Sequence, residues 1–484
     1  MSSTPENRRR IVVIGGGISG LAAAHKIGEL SEQLDLNRRP EVVLLESSDR
    51  VGGVIRSRKE HGCLIECGPD SFITQKPWAV NLCQRIGLTD RIVQTNEDCR
   101  RTFVALGGKL HPVPEGFIML APTQWWPFVT SSLFSPVGKL RMAMDLILPK
   151  RTSRADESLS DFVLRRLGRE ALERIAQPMV GGIYTADPDL LSLQATMPRF
   201  LELEDHYGSI IKGMLAEQLK RSATPQKRPA ESGARYSIFV SLDDGLQVLV
   251  DKLVSKLPAT AVRCGVSATK VVPATDQGRW EVILSGGGSL AADGLVLAMP
   301  SYAAAALLSE LDDQLSSDLG SIPYASSSVL NLIYDRSDIR HKLDGFGFVV
   351  PATEPQSMIA CTFSSVKYPG RAPDGKVLIR VFLGGALKPE INDLPEVELL
   401  KITRADLAQL LAVSAEPQYS CLSSWPRSMP QYHVGHLSLV ERIESRLAAM
   451  PVLALAGNAF RGVGIPDSIH SGELAAEGIM KQLV

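Results

Sequence analysis

Arg10-Ile11-Val12-Val13-Ile14-Gly15-Gly16-Gly17-Ile18-Ser19-Gly20-Leu21-Ala22-Ala23-Ala24 decides the fold of this chain. Four apolar β-formers run into a glycine turn, and an alanine-rich helix follows without a break. This is the strand–turn–helix opening of a dinucleotide-binding βαβ unit. Gly15 allows the tight turn, Gly16 continues it, Gly17 admits a pyrophosphate against the backbone, and Gly20 lets the helix pack on the strand. Ile18 and Ser19 begin the helix, where unpaired N–H groups and the helix dipole favour negative charge. The spacing alone is a weak signal. Its partner is Glu46, which closes a second apolar strand, Val42-Val43-Leu44-Leu45, where a carboxylate can accept both ribose hydroxyls. Glu46 lies further downstream than the usual ~20 residues, which points to an inserted polar loop from Ser31 to Pro40.

Directly after Glu46 comes a second glycine turn, Ser47-Ser48-Asp49-Arg50-Val51-Gly52-Gly53-Val54-Ile55-Arg56-Ser57. A plain NAD domain has no need of it. FAD does, because its longer chain runs past a second backbone segment. Gly52 and Gly53 permit close approach, and Arg50 or Arg56 can neutralise phosphate charge.

The 484 residues allow about three domains, and a net charge of −1 gives no support to a nucleic-acid partner. The seven cysteines form no CxxC; Cys63 and Cys67 share a strand face and read as buried, reduced thiols. Arg8-Arg9-Arg10 before an apolar run resembles an export signal, but that run is already the first strand. No window reaches the ~18 uninterrupted apolar residues of a spanning helix. Phe117 to Phe134 comes nearest, and Pro122 and Pro127 interrupt it. A cytoplasmic protein is expected.

Further along, Leu64 to Phe72 reads as a strand ending in a Gly-Pro turn, and Asn81 to Ile86 as a helix. Thr102–Leu106 and Lys109–Val113 read as a hairpin. Val137 to Leu219 turns helical, with Ser158 and Ser160 as N-caps, and Lys220 to Arg235 reads as a mobile polar loop. Strands are expected over Ala261–Val272, Trp280–Leu284 and Gly294–Met299, then over Val329–Tyr334, Phe346–Val350, Ser357–Phe363 and Val377–Leu383. Helices follow over Leu246–Leu257, Leu394–Val413 and Ile469–Leu483. Near the end, the strand Val452–Ala456, a glycine turn and a small-residue helix repeat the logic of the opening. The fold class is therefore α/β: a Rossmann-like FAD domain assembled from both termini, with an inserted mixed-sheet substrate domain and a helical subdomain. The expected partition gives 1–75, 236–300 and 440–484 to FAD binding. It gives 76–114 and 301–439 to a β-rich substrate domain, 115–219 to the helical subdomain and 220–235 to the loop.

The opening unit, Arg50-Val51-Gly52-Gly53, Gly68-Pro69-Asp70-Ser71-Phe72 and the segment Gly457 to Asp467 together resemble the FAD-dependent porphyrinogen oxidases of haem biosynthesis, within the flavin amine-oxidase superfamily. The resemblance spans essentially the whole chain, and the C-terminal segment is its most specific part. Two branches oxidise protoporphyrinogen IX or coproporphyrinogen III. Lys109 to Pro114, Gly182-Ile183-Tyr184 and Ser428 to His436 look closer to the second. In animal-type protoporphyrinogen enzymes an arginine opens the strand that here begins at Thr102, although Arg100 and Arg101 stand just before it.

The resemblance implies a six-electron oxidation of a porphyrinogen, coproporphyrinogen III favoured, with dioxygen as acceptor. The cofactor carries the chemistry, so no catalytic side chain is assigned. It also implies FAD contacts from Ser47, Val54, Gly68, Pro69, Asp70, Ser71, Ala268, Trp425, Gly457, Val463, Gly464 and Ile465. Ile183 and Tyr184, after a Gly181-Gly182 turn, are the apolar-slot candidates; Lys76 and Arg101 are the rim cations for propionates. His433 and His436 are spaced like a metal pair but read as structural, and no metal is assigned. Peripheral contact with the inner face of a membrane, a homodimer and hand-over to the next pathway enzyme are further expectations. The competing readings are protoporphyrinogen IX as substrate, an amine oxidase or carotenoid-type desaturase with Phe460 and Trp425 as an aromatic cage, and a flavin-binding redox sensor without turnover.

Overall fold

Five parallel strands form the base of the fold, in the order Val262–Cys264, Glu41–Glu46, Arg10–Ile14, Gly294–Leu297 and Leu453–Leu455. The computed structural model describes residues 8–118, 121–122, 124–223, 238–274 and 279–483. Ile11, Val12 and Val13 are fully buried, as are Leu295 and Val296. Such unbroken apolar strands suit a parallel sheet covered on its faces by helices. The helix Ile18–Ser31 packs against the C-terminal helix Ile465–Leu483. Their contact is close enough that a methyl at Gly472 would meet the Ser19 carbonyl at 2.1 Å. The first and last elements of the chain thus form one unit.

A second sheet has seven strands, in the order Tyr419–Pro430, Tyr324–Asp335, Lys376–Gly384, Met358–Phe363, Gly347–Val349, Thr102–Leu106 and Lys109–Pro112. Its pairs are antiparallel except Gly347–Val349 with Thr102–Leu106, so the sheet is mixed. Between its N-terminal and later strands the chain builds helices Pro136–Ala143, Leu159–Arg166, Gln177–Tyr184, Pro198–Tyr207 and Ile210–Ala223. Ser158 caps the second of these, its Oγ accepting from Asp161 N at 3.0 Å.

Several expected elements differ in the structure. Ala261–Val272 divides at Gly265 (φ +69°) into Val262–Cys264 on the parallel sheet and Ala268–Pro273 on a separate antiparallel sheet. The C-terminal helix begins at Ile465, four residues before the expected start, because Pro466 suits a first helical turn. Gly181 and Gly182 lie inside Gln177–Tyr184 rather than forming a turn; the helix ends instead at Thr185, φ +51°. The polar segment expected as a loop is helical through Ala223, and 224–237 lie outside the described residues. Tyr419–Pro430 is a strand that periodicity did not mark, since as a sheet edge its pattern of burial does not alternate.

A buried ionic cluster holds the helical subdomain. Arg166 is fully buried, and its Nε donates to Asp145 Oδ1 at 2.6 Å. Asp145 Oδ2 accepts from Ser209 Oγ at 2.6 Å and Ile211 N at 3.0 Å. Arg166 also lies 3.5 Å from the buried Glu204, but removing Asp145 breaks the closer buried pair, at a cost of about 3–5 kcal/mol. Asp145→Ala should lower the unfolding free energy of this subdomain by that amount, read as a lower urea midpoint at unchanged m and followed by proteolysis within Pro136–Ala223. An unchanged midpoint would contradict the role assigned to the pair.

Candidate functional site

At the opening turn, Gly15 adopts φ +108°, and a methyl there would sit 2.2 Å from the Ala298 carbonyl, just past the neighbouring strand Gly294–Leu297. A methyl at Gly20 would lie 1.9 Å from the Gly15 carbonyl. Both positions therefore exclude a side chain. A methyl at Gly17 meets nothing within 4 Å, so the helix N-terminus is approachable there, as an anionic group requires. Glu46 reaches this turn: its Oε2 accepts from Gly16 N at 2.7 Å, while Oε1 accepts from Ser48 N at 2.8 Å and Ser47 Oγ at 3.3 Å. Gly52 N donates to Gly16 O at 2.7 Å, tying the second glycine turn to the first. Val54 beside it is 41% exposed.

Arg50 faces inward. Its guanidinium donates to the carbonyls of Val51 (3.0 Å), Ile55 (3.1 Å) and Gly53, so these donors brace the turn itself. Ala268 stands two residues beyond Val266, whose N–H donates to Glu46 O at 2.9 Å.

Gly68-Pro69-Asp70-Ser71 is fixed from beneath by the mixed sheet. Asp70 pairs with Lys367 at 3.0 Å and Arg380 at 3.4 Å, and Arg380 also donates to the Gly68 carbonyl. Burial alone would raise the Asp70 carboxyl; the two cations override it and hold it well below the usual carboxylate range. Trp425 donates its indole N–H to the Cys67 carbonyl at 2.8 Å. Sequence reasoning missed Lys367, at the end of the short helix Ser364–Lys367, and Arg380, in the strand Lys376–Gly384, because isolated basic residues carry no motif.

The C-terminal turn closes over the same region. Gly457 N donates to Ser471 Oγ at 3.0 Å. Asp467 lies under the turn, its Oδ2 3.2 Å from where a methyl at Gly464 would stand. Lys76 Nζ pairs with Asp467 Oδ1 at 2.6 Å. Tyr184 feels the same carboxylate: burial and Asp467 push its phenol up to about 12. Lys76, Tyr184, Val463, Gly464 and Ile465 are thus brought together around Asp467. Tyr184, Val463 and Phe382 pack against one apolar cluster that contains Val349 and Ala360, which supplies an apolar wall. Ile183 is 45% exposed at the end of the same helix. Arg101 is not part of this group; it pairs with Asp344 at 3.0 Å on the outer face.

Tyr432 fastens the turn to the helical subdomain. Its Oη donates to Asn458 O at 2.6 Å and accepts from Gly462 N at 2.7 Å, while its own carbonyl accepts from Ser192 N at 2.8 Å. His436 stacks on Tyr432 at 3.9 Å, and its Nε2 lies 2.9 Å from Phe460 O. His433 pairs backbone to backbone with Leu191.

The chain belongs to the flavin containing amine oxidoreductase family, whose profile matches residues 18–480. It is 36% identical over 484 residues to the coproporphyrinogen III oxidase of Bacillus subtilis (strain 168), covering 99% of each chain. It is 30% identical to the chloroplastic protoporphyrinogen oxidase of Nicotiana tabacum, covering 96% of this chain and 84% of that one. A solved structure from Exiguobacterium sp. 255-15, assigned there as a protoporphyrinogen oxidase, matches with a TM-score of 0.85 and 29% identity, covering 98% of this chain and 100% of that one.

Tyr432→Phe should release the Gly462 N–H and the Asn458 carbonyl, a local cost of about 1–3 kcal/mol. Hydrogen exchange at Gly462 should quicken about tenfold or more, with exchange in the parallel sheet unaltered. Unchanged protection at Gly462 would show that the turn does not depend on Tyr432.

Proposed function

We propose that this chain is an FAD-dependent oxidase of haem biosynthesis that converts coproporphyrinogen III to coproporphyrin III, a six-electron oxidation. The observation that carries the reading is the end-to-end similarity to the Bacillus subtilis coproporphyrinogen III oxidase. The residues fit FAD: open backbone at Gly17, a carboxylate at Glu46 and a second glycine turn bonded to the first. FAD, when bound, supplies the hydride acceptor for each two-electron step.

The chain's own residues bind and orient. Gly15 to Ser19 face the pyrophosphate, and Glu46 exchanges its bond to Gly16 for the ribose hydroxyls. Gly52, Gly53 and Val54 line the ribityl path. Gly68 to Ser71, Trp425, Gly457, Val463 to Ile465 and Ala268 would hold the remainder of the cofactor. Tyr184, with Val349, Ala360 and Phe382, offers an apolar wall for the macrocycle, and Ile183 forms its lip. Lys76, 41% exposed, exchanges Asp467 for a propionate at the rim. Arg101, ion-paired with Asp344 away from this group, is left out of the rim. The division into a cofactor part drawn from both termini, a β-rich substrate part and a helical part follows from the same reading.

The reading also carries dioxygen as acceptor, a homodimer, hand-over of product to the next pathway enzyme, and a cytoplasmic location at the inner face of the membrane. Trp126, Val129, Val137, Leu140 and Ile147 are exposed on two successive short helices and the turn after them, an apolar surface suited to peripheral lipid contact. Among the described residues no helix is long and apolar enough to cross a membrane. Protoporphyrinogen IX is the second reading, favoured by the similarity to the tobacco enzyme.

Porphyrin fluorescence, followed side by side for the two porphyrinogens, tests the assignment. Coproporphyrinogen III, with four carboxylates, should be oxidised faster. Lys76→Ala should raise its KM by about tenfold, the loss of one charge-assisted bond, and that of the dicarboxylate less. Equal rates, or an unchanged KM, would count against coproporphyrinogen III.

A further inference from the structure

A cavity of about 250 Å³ lies between the two-stranded ribbon Ser57–Glu60/Cys63–Glu66 and the edge strand Tyr419–Pro430. Arg56, Arg58, Cys67, Ser423, Ser424 and Trp425 line it. Among the described residues neither Arg56 nor Arg58 has an ion-pair partner, so two uncompensated guanidiniums face this space. Cys67 lines the cavity, and Cys421 directly precedes the lining residues Leu422 and Ser423 on the edge strand. The backbone fixes them there: Asn331, the cross-strand neighbour of Cys421, donates its Nδ2 to Glu66 O at 3.2 Å, and Trp425 donates to Cys67 O at 2.8 Å. The carbonyls of Glu66 and Cys67 are thus both tied to the strand pair that carries Cys421. All seven cysteines are free, and Cys63, the strand-face neighbour of Cys67, is buried in a separate apolar cluster with Ile65, Ile333 and Leu378.

We propose that Cys67 and Cys421 are a peroxide-reactive thiol pair, with the arginine-lined cavity as the binding site for hydrogen peroxide, and that their oxidation to a disulfide reversibly switches the activity off. The Cys67 thiolate attacks one peroxide oxygen; an S–O bond forms, the O–O bond breaks, and the departing hydroxide takes up the proton that Cys67 gave to solvent and leaves as water. The Cys421 sulfur then attacks Cys67 Sγ. The S–S bond forms, the S–O bond breaks, and the Cys421 proton departs with the second water. Two thiols lose two electrons in all, and one peroxide gains them.

The local chemistry favours Cys67 as the attacking group. The hydrogen bond from Cys421 brings its thiol down to about 6 against the opposing effect of burial, with help from Ser423, Arg58 and Arg56. The same contact and burial push Cys421 up, so it keeps its proton until the second step. The consequence for activity follows from position. Cys67 immediately precedes Gly68, where a methyl would lie 1.8 Å from the Val54 carbonyl. A new bond at Cys67 pulls on a segment that has no room to shift.

The test uses the full-length, FAD-loaded protein, treated with graded hydrogen peroxide and mapped by mass spectrometry. The added peroxide makes the result independent of which porphyrinogen is the substrate. The expected product is a Cys67–Cys421 cross-linked peptide that dithiothreitol removes. Cys421→Ser should instead trap a sulfenic acid on Cys67, captured by dimedone, and Cys67→Ser should leave Cys421 unmodified. Where turnover is measurable, wild-type activity should fall at least fivefold as the cross-link forms and return on reduction, with neither serine variant showing that reversible loss. Oxidation confined to the exposed Cys264, a Cys67–Cys63 bridge, or no dimedone adduct in Cys421→Ser would overturn the proposal. A cross-link that forms without loss of activity would overturn the switch.

Discussion

The rest of the structure depends on the backbone pairing of Gly294–Leu297 between Arg10–Ile14 on one side and Leu453–Leu455 on the other. A parallel sheet cannot be made from one continuous stretch, because each parallel neighbour needs a crossover. Here the crossovers contain nearly everything else: the ribbon and turn at 57–72, the helices from Trp125 to Ala223 and most of the mixed sheet lie between paired strands. The glycine turn at 15–17 is useful only because the strand before it is held by pairing that residues 294 and 453 complete. Gly20 and Gly472 then let two helices close over the same edge.

The second constraint is where charge is buried. Asp70 with Lys367 and Arg380 fixes Gly68 to Ser71 onto the mixed sheet, and Asp467 with Lys76 fixes the C-terminal turn to the loop after Phe72. The two pairs differ in burial. The first is enclosed and stays paired, and breaking it would strand a charge. The second has a lysine 41% exposed, where exchange of one carboxylate for another costs little. That contrast separates an enclosed pair from one whose lysine is free to change partners.

Local rules made the opening legible: β-formers, a glycine turn, an alanine-rich helix and Glu46 all lie within about one βαβ unit. The return of the last strand and helix was legible by the same rules, as was most of the mixed sheet from its alternation. Tyr419–Pro430 escaped because an edge strand with uneven burial has no period to read. Gly181-Gly182 misled because glycines usually signal a turn, and here a helix packed on Val349 and Ala360 carries through them. The Lys76–Asp467 pair joins residues 391 apart, and the Arg380 contact to Gly68 spans 312. No spacing rule reaches that far; only the completed pairing of the sheets brings those groups together.

Anaerobic mixing of the FAD-loaded protein with coproporphyrinogen III tests the central claim most directly, since it isolates transfer from the substrate to the cofactor. The account predicts that the visible absorption of oxidised flavin bleaches as coproporphyrin fluorescence appears, and that admitting dioxygen restores the absorption. A flavin that stays oxidised with both coproporphyrinogen III and protoporphyrinogen IX would contradict it.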